Sequence, residues 1–161
     1  MLIEKHKFEL FADYHQIYMQ DEYSDGDLND FDPMLVSTYK YWTGDGVLML
    51  STARNMTVPV AVEIHDTEPE LDLDSCDHVA ECSLEFETGT LLIAGCSDVR
   101  DDAPRFKTEA GEYRIRMEHR DLDSLSDDQL DGKDNYTIKI WADPIRDEVT
   151  LKQWADPHSA T

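Results

Sequence analysis

Apolar and polar residues alternate along most of this chain, and helical spacing is scarce. Phe8, Leu10, Ala12 and Tyr14 alternate with Lys7, Glu9 and Asp13, and Val58, Val60, Val62 and Ile64 alternate up to His65. Ala80, Cys82, Leu84 and Phe86 alternate with Glu81, Ser83, Glu85 and Glu87; Tyr113, Ile115 and Met117 with Arg114, Arg116 and Glu118; Tyr136, Ile138 and Ile140 with Thr137, Lys139 and Trp141. A period of two marks strands with one face buried and one wet. Compact apolar runs at 47–50 and 90–94 and a short one at 149–151 bring the count to about eight strands, separated by Gly, Pro, Asp and Asn. This spacing predicts an all-β fold, a single antiparallel β-sandwich. Its core is expected from Phe8, Leu10, Val47, Leu50, Val60, Val62, Leu84, Phe86, Leu92, Tyr113, Ile115, Ile138 and Ile140. One helix is expected over 33–41, capped by Asp32 and opened by Pro33, although Tyr39, Tyr41 and Trp42 are poor helix formers.

Length and composition fit this picture. The 161 residues suit one domain spanning 1–161. A 40% hydrophobic share argues for a packed core rather than disorder. The opening residues carry charges where a secretory leader needs an apolar stretch, and no apolar run approaches the roughly 20 residues of a membrane span. Cys76, Cys82 and Cys96 are odd in number and irregularly spaced, so reduced thiols and a cytoplasmic location are expected.

Charge changes the functional picture most. The net charge is -22, and between Asn55 and Val99 eleven carboxylates occur with no Lys or Arg. Such a field repels nucleic-acid phosphates and anionic membranes and attracts basic proteins or cations. Acidic loops are expected at 21–32, 63–77 and 121–135. Plain solubility or adaptation to high salt is the alternative source of this acidity.

Candidate chemistry is thin. The segment from Asp21 to Asp27 begins like an EF-hand loop but puts Tyr23 at the third ligand position and has no Glu at the twelfth. Asp72-Leu73-Asp74 and Asp121-Leu122-Asp123 are the loop pairs that a calcium-dependent binding module would use, and this is the alternative function. Cys76, His78 and Cys82 lack the paired spacing of a zinc site, and Cys82 falls on the apolar side of its strand. His15 has no evident catalytic partner, and neither a nucleophile elbow nor a phosphate-binding glycine loop occurs. No catalysis, metal or other cofactor is expected. A different feature has geometry: Glu81, Ser83, Glu85 and Glu87 share one strand face about 6.6–6.8 Å apart. A row of carboxylates at that spacing imitates the phosphates that nucleic-acid enzymes grip with Lys and Arg.

Three short motifs carry a resemblance. Tyr14-His15-Gln16 follows the first alternating strand, Asp45-Gly46 opens a strand that ends at Ala53-Arg54-Asn55, and Gly111-Glu112-Tyr113 opens another after an acidic hairpin. In order and spacing, from Phe8 to Trp141, the chain resembles the competence-protein-J family of small cytoplasmic nuclease inhibitors. The resemblance implies an acidic all-β protein that binds and inhibits a metal-dependent nuclease of DNA entry. It carries over no inhibitory residues. This chain departs from the family by a longer 121–135 loop and greater acidity. The expected function is that of a non-enzymatic inhibitor or immunity-type protein for a basic nuclease or toxin. The expected contacts are Glu81, Glu85, Glu87, Asp72 and Asp74, with Phe31, Tyr39, Tyr41 and Trp42 as aromatic anchors.

Overall fold

The computed structural model describes residues 1–98 and 100–155. Eleven strands form two sheets: β1 (Leu2–Phe11), β2 (Gln16–Asp21), β3 (Tyr41–Gly44), β4 (Val47–Ser51), β5 (Thr57–His65), β6 (His78–Phe86), β7 (Thr90–Gly95), β8 (Arg105–Lys107), β9 (Gly111–Arg120), β10 (Asn135–Ala142) and β11 (Val149–Lys152). One sheet runs β1-β5-β10-β9-β6-β11, the other β3-β4-β2-β7-β8. Every neighbouring pair is antiparallel except β5 with β10.

The all-β expectation holds, but the count of eight strands in one sandwich does not. The expected first strand stops at Phe11, because Tyr14 and His15 turn the chain with φ of 55° and 61°. Gln16–Asp21 then forms a separate strand whose Ile17 and Met19 are fully buried. Tyr41–Gly44 pairs with β4 instead of extending the helix. Arg105–Lys107 is three residues long, too short to show a period.

The single α-helix among the described residues, α1 (Pro33–Tyr39), follows the capping logic. Asp32 Oδ1 accepts from Met34 N at 3.0 Å and Leu35 N at 3.4 Å, which satisfies two of the amides a helix start leaves open. Lys40, at φ 66°, ends the helix. No helix among the described residues is long and apolar enough to cross a membrane.

One apolar cluster joins the two sheets. Leu10, Val60, Val62, Leu84, Phe86, Tyr113, Ile115, Ile138 and Ile140 meet Ile17, Met19, Leu48, Leu50, Leu91 and Ile93 from the other sheet. Phe86 and Tyr113 pack with ring centroids 5.3 Å apart. Phe8 is partly buried against this cluster. Val47 and Leu92 are buried too, Leu92 in a small second cluster with Ala94 and Ala103.

Candidate partner-binding surface

The six-stranded sheet is covered on part of its second face as well. Arg114, Arg116 and Glu118 alternate with the core residues of β9, yet each is at most 2% exposed. Segment 66–77 lies against Arg116, the Arg146 backbone meets Arg114, and Glu118 pairs with Arg120 and Lys139. Arg116 Nη1 donates to the carbonyls of Pro69 and Glu70, and its guanidinium stacks 5.1 Å from the Trp141 ring centre. Arg114 Nη1 donates to Ser83 Oγ and to the Arg146 carbonyl. Glu81 sits between them, accepting from Arg114 Nε at 3.0 Å and Arg116 Nε at 2.8 Å. The expectation that Glu81 heads a solvent-facing row is therefore corrected. Its strand parity is right, but a loop covers that end of the face.

Glu85, farther along β6, and Glu87, just past its end, are exposed. In the register Glu85 lies opposite Glu112, and like charges directly opposite are unfavourable. None of these three carboxylates forms an ion pair within the described residues. Asp21 brings a second acidic segment to the same end. It accepts from Tyr23 N, Thr88 N, Thr88 Oγ1 and Gly89 N at 2.9–3.0 Å. Burial alone would raise its pKa, but these hydrogen bonds hold the carboxyl below its usual range. Ser24 Oγ donates to the Asp45 carbonyl at 2.6 Å. Asp45 leads into Gly46, whose φ of 67° suits glycine in the tight turn between β3 and β4.

The aromatic candidates cluster at α1 and β3 but differ in exposure. Tyr39 is 36% exposed, Phe31 44%, and the neighbouring helix residue Met34 81%. Trp42 is half-buried, packs edge-on to Phe31 with centroids 6.5 Å apart, and donates to the Asn29 carbonyl. Tyr41 is buried, and its hydroxyl donates to Glu148 Oε2 at 2.8 Å. Burial, with nearby Cys82 and Glu148, holds that hydroxyl protonated well above its ordinary pKa. The expectation of Tyr41 as an exposed anchor is corrected: β3 turns its side chain inward as a partner for Glu148. Tyr39 and Tyr41 also line a hollow with Glu148, Val149 and Thr150 of the β11 region.

These groups occupy one side of the molecule. β3 and β11 are each an edge strand of their sheet, and the tyrosine hollow connects them. At about 3.3 Å per residue, Trp42 and the Asp45 turn lie about 10 Å apart along β3. Asp72 and Asp74 are exposed in the covering loop beside β11, where Lys152 Nζ donates to the Leu73 carbonyl at 2.9 Å.

The other chemical candidates are engaged in the fold. His78 Nε2 donates to the Tyr39 carbonyl and its Nδ1 accepts from Trp154 N, at 2.8 and 3.1 Å. Cys82 is buried in the core, where burial pushes its thiol up to about 12. His15 Nδ1 donates to the Thr52 carbonyl at 3.0 Å. Asp72 Oδ1 accepts from Ser75 N in a local turn. Among the described residues no group of three or more His, Cys, Asp or Glu is placed to hold a metal ion.

Sequence reasoning missed the buried arginines and Glu148. It also missed a second polar network, in which Arg54 Nε donates to Asp134 Oδ1 at 2.6 Å, Tyr136 Oη donates to Asp134 Oδ2 at 2.6 Å, and Ala53 N donates to Tyr136 Oη at 2.7 Å. This network clamps the end of the 121–135 loop. A usable signal for the arginines was the pairing of acidic β6 with basic β9 positions, since Glu81 faces Arg116 in the register.

No family model matches the chain, and no curated protein matches it in sequence. Two solved structures resemble it. ComJ from Bacillus subtilis, described as an inhibitor of the DNA degrading activity of NucA, aligns with a TM-score of 0.64 at 15% identity, over 89% of this chain and 98% of ComJ. A protein described as crocagin biosynthetic gene J aligns with a TM-score of 0.59 at 15% identity, over 88% of this chain and 98% of its own. The order of short motifs that resembled the competence-protein-J family thus corresponds to a shared fold along nearly the whole chain.

Proposed function

We propose that this protein is a non-enzymatic, stoichiometric inhibitor of a basic nuclease or nuclease-type toxin, acting in the cytoplasm as an inhibitor or immunity protein. The observation that carries the reading is the side bounded by β3 and β11. There, exposed Phe31, Met34 and Tyr39 and half-buried Trp42 are flanked by Asp27, Asp30, Asp45, Glu85, Glu87 and Glu148, none of which is ion-paired within the described residues. Meanwhile Arg54, Arg114 and Arg116 are spent inside the fold. An apolar centre with an unneutralised acidic rim matches a partner with a basic rim around an apolar hollow. The rim speeds association and the aromatics slow dissociation. The fold shared with an inhibitor of DNA degradation favours a nuclease as the target.

The test begins with immobilised protein and native-source lysate at about physiological salt. A single basic nuclease, eluted by high salt in near-stoichiometric amount and inhibited with a one-to-one end point, supports the reading. A broad mixture of basic proteins with no inhibited nuclease among them overturns it. Glu85→Lys with Glu87→Lys should weaken binding and flatten its salt dependence, whereas Trp42→Ala should chiefly raise the dissociation rate.

A further inference from the structure

β1 and β8 end the two sheets on the side away from β3 and β11. Rings join these two ends: His6 and Phe106 stack with centroids 5.0 Å apart, and Phe8 lies 6.1 Å from Phe106. β8 is short, but β1 runs for ten residues and is largely exposed, with Leu2 at 45% and Ile3 at 58%. Two observations fix which way its backbone groups point. Pro59 lies opposite Glu9 and has no N–H, so this pair cannot exchange the two hydrogen bonds of an antiparallel bonded pair. Farther along the same register, Ala12 N donates to the Met56 carbonyl at 3.0 Å. Bonded positions recur at every second residue. His6, Phe8 and Leu10 therefore bond to β5, and the N–H and C=O groups of Lys5, Lys7 and Glu9 point away from the sheet. No hydrogen bond reaches those outward groups among the described residues.

The charges of β1 complete the picture. Residues 1–11 carry Lys5 and Lys7 against Glu4 and Glu9, so the side chains of this segment balance while the rest of the chain carries the whole net charge of -22. Glu4 meets His6 Nε2 at 3.0 Å, and Lys5 meets Glu63 at 3.6 Å. Lys7 and Glu9 are exposed and have no ion pair among the described residues. They are opposite in sign, two residues apart, and they share one face of the strand.

We infer that β1 is the docking edge for a second copy of this chain, the two β1 strands pairing antiparallel about a two-fold axis at Phe8. In that register Lys7 of each copy lies opposite Glu9 of the other, and Phe8 faces Phe8. Lys7 and Glu9 carry outward backbone groups, so each of these pairs also exchanges two main-chain hydrogen bonds. Opposite charges placed directly across a strand pair are favourable. A symmetric contact of this kind closes at two copies. A lysine on an edge ordinarily discourages pairing; here Glu9 offsets it in one register. The register shift at Leu2/Glu4 and the close approach of Gly95 to the Phe11 carbonyl limit the length available. The balanced edge is also where two strongly acidic molecules approach with least repulsion. The β3–β11 side stays open on both copies, so the pairing stands whether or not the proposed inhibitory role does.

The test is sedimentation of the full chain between about 1 and 1,000 µM, a range that spans weak association. The mass should double from 18.5 kDa, and added salt should strengthen the dimer by screening the net charge. Amide exchange at Lys7 and Glu9 should slow as concentration rises, while His6 and Phe8 stay protected throughout. Lys7→Glu sets like charges across the pair and should weaken the dimer about tenfold; adding Glu9→Lys should restore it. Lys133→Glu changes the net charge equally at an exposed loop position and should leave the dimer unchanged. Lys7→Pro, which removes only an outward N–H, should keep the chain monomeric. A monomer at every concentration overturns the inference. So does a dimer that salt dissolves, one whose Lys7 and Glu9 amides exchange freely, or one that the double charge swap fails to restore.

Discussion

Strand β6 holds two stretches of the same face with opposite fates. Glu81 lies opposite Arg116 and Ser83 opposite Arg114, with Pro69 and Glu70 lying against Arg116 and the Arg146 backbone against Arg114 and Ser83; four residues beyond Glu81, Glu85 lies opposite Glu112 and is open to water. Alternation places all of them on one face. What separates them is the covering chain and the sign of the residue across the strand pair. A carboxylate in the first stretch stabilises buried arginines, whereas one in the second is free to meet a partner.

The sharpest way to break this comparison is to change both stretches. Glu81→Leu leaves Arg114 and Arg116 without their shared carboxylate at 1–2% exposure. Removing one side of a buried ion pair costs about 3–5 kcal/mol. Thermal and urea unfolding should show that loss, while Glu85→Lys with Glu87→Lys should stay within about 0.5 kcal/mol of the parent. Equal destabilisation by both changes would erase the distinction between the two stretches.

The Arg54–Asp134 clamp extends the same logic to the 121–135 loop. Asp134 is fully buried and serves both Arg54 and Tyr136. Asp134→Ala should cost about 3 kcal/mol by urea unfolding, because it strands a buried guanidinium. Protease cleavage should then appear first in the 121–135 loop.

Strands were legible in this sequence wherever a period of two ran for five or more residues, as at Val58–Ile64, and the helix start was legible in Asp32-Pro33. β2 was hidden because the turn at Tyr14 and His15 interrupts an apparently continuous alternation. β3 was hidden because Tyr41 and Trp42 followed a helix directly. The candidate surface was half legible. Exposed Tyr39 and Glu85 follow from composition and parity, but parity says only which side chains share a face and never what chain lies over it. That is why Glu81 and Tyr41 read as exposed, and why Arg114 and Arg116 read as solvated.

A pH scan sharpens the picture near α1. Burial is the main cause that lowers His78 from 6.5 to about 4. The folded state therefore keeps His78 neutral where the unfolded chain already takes a proton. Stability is fully present above about pH 6.5 and falls as pH drops toward 4, by up to about 3 kcal/mol at about 1.4 kcal/mol per pKa unit. His119, lowered by burial, acts in the same direction. Asp21, with its lowered pKa, loses its contribution only in a more acidic window. Melting temperatures between pH 8 and 4 should slope for the parent and flatten for His78→Gln, and an unchanged slope would remove His78 as the cause.

The smallest effect tests whether the aromatic side depends on local helix order. Asp32→Ala removes the acceptor for Met34 N and Leu35 N, which a cap of this kind makes worth about 1 kcal/mol. Only Val36 of α1 is buried, so little packing compensates for a frayed start. Hydrogen exchange at Leu35 and Val36 should quicken while amides of β6 and β9 keep their protection. Partner affinity should fall modestly, through Met34 and Tyr39 losing their fixed places. If exchange quickens and affinity does not change, recognition rests on β3 and the Glu85 end alone, and the two edges of the surface are independent.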